Sequence, residues 1–322
     1  MQKILSTLLL LTFSLYGSID ISHSLNDKPF KASHQVYVKP HDNIRLRFKF
    51  KEAKEIRWYQ IIPNTSKFYK NANHPWEANA YKWTGYGKIN YRKVEIKSFR
   101  NKSIVEITPE ILEANRPHNS KYYNSKMGSF WFEAEVVLKN GKRMKSVGFK
   151  DNSNKGLSPK VLRLSFMSDE GYIGYLSTFF NVPGIFGSMP YQSRNYIGID
   201  CADVLIAASK KMNHEKNEKN YNVKMLVAKL KNKVKFTNKK GKLSKRLKWG
   251  KDFKRGDFVA VKYTENGRYA HIGMLYEDTN QNSILDAKDS ILNAGPNALH
   301  TTTLESGAFS GTVVILENKD VK

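Results

Sequence analysis

The chain has 322 residues, of which 40% are hydrophobic and 12% aromatic. It therefore has enough apolar side chains for a buried core, which excludes an intrinsically disordered polymer, and its length predicts two ordinary domains. The formal net charge of +25 favours an anionic partner such as nucleic acid, a membrane surface or an anionic polymer. The lysines are spread along the chain without a nucleic-acid-binding motif, so we expect no nucleic acid partner; a solvated basic surface is the alternative.

Residues 1–18 have the pattern of a secretory signal peptide. Lys3 is followed by the apolar run Ile4–Tyr16 and then by the small residues Gly17 and Ser18. The run is too short to span a bilayer comfortably, and no later stretch is long and apolar enough, so we predict no transmembrane segment in the mature chain. We therefore predict export to the periplasm or the cell exterior; an uncleaved apolar anchor is the alternative.

The N-terminal half alternates apolar and polar residues in short runs separated by turn residues. This pattern predicts an antiparallel β-sandwich of immunoglobulin-like character over residues 23–150. Asn-Gly at Lys139–Lys142 predicts a hairpin, and Trp58 and Trp131 are expected in the core. The aromatic segment Tyr69–Tyr86 is expected to be a loop that packs on its own sheet, with a sugar-stacking surface as the alternative.

A polar stretch over residues 151–162 predicts a linker, and residues 163–322 predict a second domain of the α+β class. Its landmarks are a helix that begins after Asp200 and four later strands, which include "YAHIGMLYE" and "SILNAG". The chain as a whole is therefore predicted to be α+β.

Cys201 is the only cysteine, so no disulfide can form within the chain. Asp200 is a good N-cap residue, which places Cys201 in the first turn of the predicted helix. The helix dipole and the unpaired N–H groups there favour an anion, so we expect a lowered thiol pKa and a site for an oxyanion. A buried, inert cysteine is the alternative.

A thiol nucleophile needs a base, and His271 lies on a predicted strand beside small residues. Asn293, on the next strand, is placed to accept the second imidazole N–H and to hold the ring. An edge asparagine without a role is the alternative. His300 is expected in a polar loop.

The order of an Asp-Cys pair at a helix start, then "RGDFVAV", "HIGMLYE" and a polar residue on the following strand resembles the NlpC-type cell-wall peptidases of the papain-like class. The resemblance covers residues 183–317. It implies a papain-like domain in which Cys201 is the nucleophile, His271 the base and Asn293 the third member of the catalytic set. It further implies that Tyr191 lines the site, that Asp203 helps to bind the substrate, and that the chemistry requires no cofactor.

Such enzymes mostly cleave amide bonds in peptidoglycan stem peptides, often next to D-glutamate and diaminopimelate. The resemblance therefore implies an exported cysteine peptidase or amidase whose partner is peptidoglycan or another anionic cell-envelope polymer. The chain has Ala202 and Asp203 where the family usually has Ser-Gly, so its specificity is expected to differ. Two alternatives are a non-catalytic wall-binding protein with a degenerate domain and a peptidase or amidase that acts on proteins.

The segment between the two proposed catalytic strands has the spacing of a calcium loop. Side-chain oxygens stand at positions 1, 3, 5, 9 and 12 and a main-chain carbonyl at position 7, as such loops require. The residues are Asp278, Asn280, Asn282, Asp286 and Asp289, with the carbonyl of Ile284. Ser283 occupies the position that usually holds glycine, and the last ligand is Asp where a calcium loop has Glu. A structural Ca²⁺ is one prediction, and a polar hairpin tip is the other.

Overall fold

The structure is a computed structural model, and it describes residues 19–65, 89–117, 121–149, 157–216, 219–264, 267–295 and 297–320. The predicted signal peptide, the aromatic segment 69–86 and residues 151–156 of the predicted linker lie outside the described residues.

The N-terminal half forms two sheets with strand orders β2-β1-β4-β7 and β3-β10-β8-β5-β6, and β9 pairs with β8. The strands are β1 Ser22–Leu25, β2 Lys31–Ala32, β3 Gln35–Val38, β4 Ile44–Arg47, β5 Ala53–Asn64, β6 Asn90–Glu95, β7 Ile104–Glu106, β8 Gly128–Leu138, β9 Arg143–Lys145 and β10 Leu162–Phe166. Apolar and polar residues alternate along the strands, so one face of each strand contributes to the core. In β4, Ile44 and Leu46 are buried, whereas Arg45 and Arg47 are partly exposed.

The hairpin predicted at Lys139–Lys142 is confirmed, because β8 and β9 pair antiparallel on either side of it. Gly141 has φ +81° in this turn, a conformation that glycine adopts without a steric penalty. Trp58 and Trp131 are both buried, as predicted.

The strand β10 belongs to the N-terminal sheet although it begins at the end of the predicted linker. It pairs antiparallel with β8 and parallel with β3. All five of its residues are buried, so it is a central strand with both faces covered. The residues 163–166, at the start of the predicted second domain, therefore complete the first sheet.

The C-terminal half has one sheet of seven strands in the order β12-β11-β17-β13-β14-β15-β16. The strands are β11 Asn232–Lys239, β12 Lys242–Leu243, β13 Phe258–Lys262, β14 Tyr269–Glu277, β15 Ser290–Asn293, β16 His300–Thr303 and β17 Gly311–Leu316. All of its strand pairs in the described residues are antiparallel.

Within the described residues, few helices accompany the sheets. They are α1 Pro109–Ala114, α2 Gly171–Ser177, α3 Pro190–Arg194, α4 Cys201–Met212 and α5 Val223–Lys229, with 3-10 turns at Lys97–Phe99 and Leu304–Ser306. Val204 and Leu205 of α4 pack with Ile272 on one face of the seven-stranded sheet, while Val261 and Phe309 lie in a separate cluster on the other. The prediction of an α+β chain is confirmed. None of the described helices is long and apolar enough to cross a membrane.

The two halves share a buried cluster, which contains Ile61 and Trp131 from the N-terminal sheet and Phe179 from the C-terminal half. The Arg163 guanidinium of β10 lies 3.9 Å from the centre of the Tyr196 ring, which stacks on Phe179 at 4.6 Å. Because Tyr196 lies just before α4, this contact connects the N-terminal sheet to the segment that carries the candidate nucleophile.

Candidate functional site

The helix α4 begins at Cys201, with Asp200 as its N-cap. Asp200 Oδ1 accepts hydrogen bonds from the backbone N–H groups of Ala202 at 3.1 Å and Asp203 at 2.8 Å. These bonds satisfy two of the N–H groups that a helix start leaves unpaired. The predicted cap and the predicted position of the thiol in the first turn are both confirmed.

The expected fall in the thiol pKa is wrong in direction. Burial raises the pKa of the Cys201 thiol, and the nearby carboxyl of Asp200 raises it further. Hydrogen bonds from the backbone N–H groups of Ile272, Ala202 and Cys201 itself lower this pKa, but by less than burial raises it. The resting thiol is therefore protonated, and it requires a base to become a nucleophile.

His271 and Asn293 form the contact that the sequence predicts. The distance from His271 Nε2 to Asn293 Oδ1 is 3.0 Å, and both residues are buried, with exposed fractions of 5% and 2%. Because an amide oxygen only accepts, this contact assigns the proton of the neutral imidazole to Nε2. Nδ1 is then the basic nitrogen of the ring.

Burial lowers the pKa of His271 to about 4, and the charge of His300 lowers it too, whereas the bond to Asn293 raises it. The imidazole is therefore neutral at pH 7, the form that takes a proton from a thiol.

Backbone contacts bring the start of α4 to the strand that carries His271. The N–H of Ile272, the residue after His271, donates to the Cys201 sulfur. Gly295, shortly after β15, has φ +75°, and a Cβ atom at this position would lie 3.1 Å from the Cys201 nitrogen. The Cys201 sulfur thus lies against the backbone of β14 at the residue after His271, and Asn293 contacts the His271 ring.

Asp203 is linked through Ser193 to the short helix that carries Tyr191. The buried Asp203 carboxylate accepts hydrogen bonds from Ser188 Oγ at 2.8 Å and Ser193 Oγ at 2.9 Å. Ser193 belongs to α3, the short helix that carries Tyr191, and Tyr191 packs on the same cluster as Cys201. Asp203 thereby fixes α3 against α4; its role in substrate binding, and that of Tyr191, stay predictions.

His300 lies next to the candidate site, whereas the sequence predicts it in a polar loop. It instead begins the short strand β16 and stands opposite Asn293 in the register of β15 and β16. Its ring lies 4.9 Å from the ring of Tyr122, which belongs to the N-terminal half. The three β-branched residues Thr301–Thr303 favour a strand here. Because the run has no apolar residues, it lacks the apolar–polar alternation by which a strand is predicted.

The segment 278–289 is ordered by its own hydrogen bonds. Asp278 accepts from the backbone N–H of Asn282 at 3.2 Å and of Ser283 at 2.7 Å. The side-chain amides of Asn280 and Asn282 donate to Asp286 Oδ2 at 2.7 and 2.9 Å. Calcium binding would require both amides to turn their oxygens inward.

Asp289 and Ser283 of the predicted calcium loop are likewise accommodated without a metal. The buried Asp289 accepts from Trp249 Nε1 at 2.9 Å, and Ser283 adopts φ +59° where a calcium loop places glycine. No cluster of three or more His, Cys, Asp or Glu side chains suited to a metal occurs within the described residues. The structural Ca²⁺ stays a prediction.

Comparisons of the chain with protein-family models, with curated proteins and with solved structures find no match.

Proposed function

We propose that this chain is an exported cysteine hydrolase of the papain-like, NlpC type that cleaves an amide bond in peptidoglycan stem peptides. The observation that carries the proposal is the buried contact of His271 Nε2 with Asn293 Oδ1, together with a half-buried thiol at a helix start whose sulfur accepts the backbone N–H of the residue after His271. A histidine whose second nitrogen is held by an amide oxygen is oriented to serve as the base of a thiol.

The reaction begins from a neutral pair, because burial disfavours both the thiolate and the imidazolium. As the Cys201 sulfur attacks the carbonyl carbon, its proton moves to Nδ1 of His271. The new C–S bond gives a tetrahedral oxyanion, and we assign its hydrogen bonds to the backbone N–H of Cys201 and the Tyr191 hydroxyl.

The intermediate then collapses with cleavage of the C–N bond. His271 gives its proton to the leaving amine and becomes neutral again, and an acyl group remains on the sulfur. A water molecule attacks this thioester, its proton passes through His271 to the sulfur, and the free carboxylate leaves. Asn293 holds the ring in one orientation during both transfers.

Peptidoglycan fits the other properties of the chain. The predicted export brings the protein to the compartment that holds the cell wall, and the net charge of +25 favours an anionic polymer. The resemblance in the strands around His271 supports the same substrate.

The test is mass spectrometry of purified peptidoglycan fragments after incubation with the protein. We expect a new amine and a new carboxylate at one bond of the stem peptide, and no such products with Cys201→Ala. Folded protein that leaves every stem-peptide bond intact would overturn the proposal.

One observation favours a second candidate, a non-catalytic wall-binding protein with a degenerate domain. Burial raises the pKa of the Cys201 thiol, as it does for an inert core cysteine. Iodoacetamide labelling at neutral pH distinguishes the two. A catalytic thiol should react faster in the parent protein than in His271→Ala, whereas an inert thiol should react slowly in both.

A further inference from the structure

The described residues expose four large apolar side chains, and three of these belong to α5 or to the segment that leads into α3. Phe186 is 57% exposed, Met189 52% and Met225 42%. The fourth, Ile104, is 43% exposed and lies on β7 in the N-terminal half. Single exposed apolar residues are common on protein surfaces, whereas a group of them marks a surface that binds something apolar.

Phe186 stands at the corner of a tight turn. The N–H of Ser188 donates to the Ile185 carbonyl at 3.0 Å, and Gly187 adopts φ +70°, as the third residue of a type II turn does. Ile185 and Ser188 are buried, so both ends of the turn are anchored in the protein. The turn therefore holds the Phe186 side chain out toward solvent.

A contact joins this segment to the start of α5. Asn220 Nδ2 donates to Met189 Sδ at 3.5 Å. Asn222 then caps α5, and its side chain accepts the N–H of Met225 at 2.9 Å. Met225 thus lies in the first turn of α5, five residues after the residue that contacts Met189.

Lysines stand around Tyr221, which lies between the contact and the cap. Lys229 Nζ donates to the Tyr221 hydroxyl at 3.1 Å and lies 4.9 Å from the centre of its ring. This hydrogen bond lowers the pKa of the Tyr221 hydroxyl, and the charges of Lys229, Lys219 and Lys210 lower it further. Several positive charges therefore converge on the surface that exposes the two methionines.

The stretch 204–230 contains six lysines and two glutamates. Lys210 forms a salt bridge with Glu215, so part of its charge is neutralised. The exposed lysines of the stretch are Lys216, Lys219, Lys224 and Lys229. We call the surface formed by Phe186, Met189, Met225 and these four lysines the α3–α5 patch.

We infer that the α3–α5 patch binds the surface of a lipid bilayer that contains anionic lipid. Phe186 and the two methionines enter the headgroup region, while the lysines stay among the anionic headgroups. An anionic polymer in water would account for the lysines, but it offers no apolar interior for Phe186. A rigid protein partner would need a pocket that matches the projecting turn, whereas lipid headgroups move aside.

The patch adjoins the candidate site. Met189 is the N-cap of α3, and its neighbour Ser188 donates to the carboxylate of Asp203, two residues after Cys201. A bilayer bound at the patch would therefore hold the start of α4 close to the membrane surface. The inference does not depend on the proposed hydrolysis.

The test is cosedimentation of the protein with vesicles made of equal parts of phosphatidylglycerol and phosphatidylcholine. The protein is used without residues 1–18, the predicted signal peptide, because the apolar run there would bind lipid by itself. We expect binding that weakens when salt is raised, and weaker binding to vesicles of phosphatidylcholine alone.

Phe186→Ser should weaken binding to the anionic vesicles by about tenfold, the factor for withdrawing one large apolar side chain from lipid. The thermal midpoint should not fall, because the side chain is exposed in the free protein. Ile104→Ser is the matched control, since it removes an apolar side chain of similar exposure from the other half of the chain. It should leave vesicle affinity unchanged.

A pair of lysine substitutions tests the charge. Lys219→Gln with Lys229→Gln should weaken binding by about 25-fold, about fivefold for each lysine near an anionic surface. Lys51→Gln with Lys54→Gln removes the same charge from exposed positions in the N-terminal half. This control should change the affinity by less than about twofold, because salt screens distant charges.

The outcomes distinguish the bilayer from other partners. Failure to bind the anionic vesicles, or equal binding by Phe186→Ser and Ile104→Ser, overturns the inference. If Phe186→Ser instead loses binding to purified peptidoglycan, or loses self-association in sedimentation velocity, with vesicle binding unchanged, the patch belongs to the wall or to a second copy and the inference is likewise overturned. Patch-dependent vesicle binding without cleavage of stem peptides supports the inference and overturns only the proposed function.

Discussion

The hairpin of β14 and β15 carries two polar clusters, one at each end. At its tip, the carboxylates of Asp278 and Asp286 accept hydrogen bonds from residues a few positions away. At its open end, His271 pairs with Asn293 across the hairpin, and both are buried. Turn chemistry accounts for these two carboxylates, because each accepts hydrogen bonds from donors a few residues away. Nothing local accounts for a buried histidine with a depressed pKa, and this difference supports the open end as the place of the proposed chemistry.

The largest expected effect is the loss of Cys201 or His271. Cys201→Ala and His271→Ala should each reduce turnover of stem peptides by about 10⁴-fold or more, and the double variant should be little worse, because the two groups act as one unit. Asn293→Ala should lose less, since it removes only the partner that orients the ring. Single-turnover assays on folded variants measure these losses. Additive losses would show that the two residues act separately.

The next effect concerns Gly295. A methyl group here would lie 3.1 Å from the Cys201 nitrogen, where the proposed oxyanion accepts its hydrogen bond. We expect Gly295→Ala to lower kcat by about 10²-fold, the cost of losing one oxyanion donor, with a smaller change in KM.

Gly250→Ala is the matched control, because Gly250 has φ +77° and open space around its α carbon. Both variants should lose similar stability from the left-handed backbone, and only Gly295→Ala should lose activity. Equal kcat values in the two variants would remove the Cys201 N–H from the proposed oxyanion site.

Much of this end of the hairpin follows from local sequence. The cap at Asp200 and the strand around His271 are visible as a capping residue and an alternating run, and the pairing of His271 with Asn293 follows from adjacent strands. The turns of the tip also follow from the local spacing of Asp and Asn, whereas the bond from Trp249 to Asp289 comes from a distant segment.

Properties that depend on distant segments were not predictable. The strand β10 is a uniformly buried run, and its place between β3 and β8 is set by pairing far along the chain. The direction of the Cys201 pKa shift depends on how deeply β14 buries the helix start, which a helix-dipole argument omits.

A third effect concerns how protein stability changes with pH through two titratable groups at the site, His271 and Asp200. The pKa of His271 is lowered to about 4 by burial, so its contribution to stability is lost as pH falls from about 6.5 to about 4. Burial raises the pKa of Asp200 to about 7, so its contribution is present at acid pH and is lost as pH rises through 7. As pH rises from about 4 to about 6.5, the contribution of His271 to the unfolding free energy therefore increases while that of Asp200 decreases.

Single variants should expose each contribution. In Asp200→Asn, which keeps a good N-cap, the unfolding free energy should fall by about 3 kcal/mol between pH 6.5 and pH 4 because His271 remains. In His271→Gln the pH dependence should have the opposite sign, because Asp200 remains. Urea unfolding at pH 4.5 and pH 7 measures both, and the same sign in the two variants would contradict the assignment.

The smallest effect tests the tip of the hairpin, where the sequence predicts Ca²⁺ and the structure shows a loop that satisfies itself. If the oxygens of Asn280 and Asn282 turn inward to a cation, calcium at about ten times its Kd should raise the unfolding free energy by about 1.4 kcal/mol. Thermal melts with calcium and with a chelator should then differ for the parent and agree for Asp278→Ala. Asp252→Ala is the matched control, because Asp252 accepts a backbone N–H from Lys248 at 2.7 Å outside the segment 278–289. It should lose stability and keep the response to calcium. Identical melts of the parent at millimolar calcium and with the chelator would leave the tip as a turn held by its own hydrogen bonds, and would confine the chemistry of the hairpin to the end that holds His271.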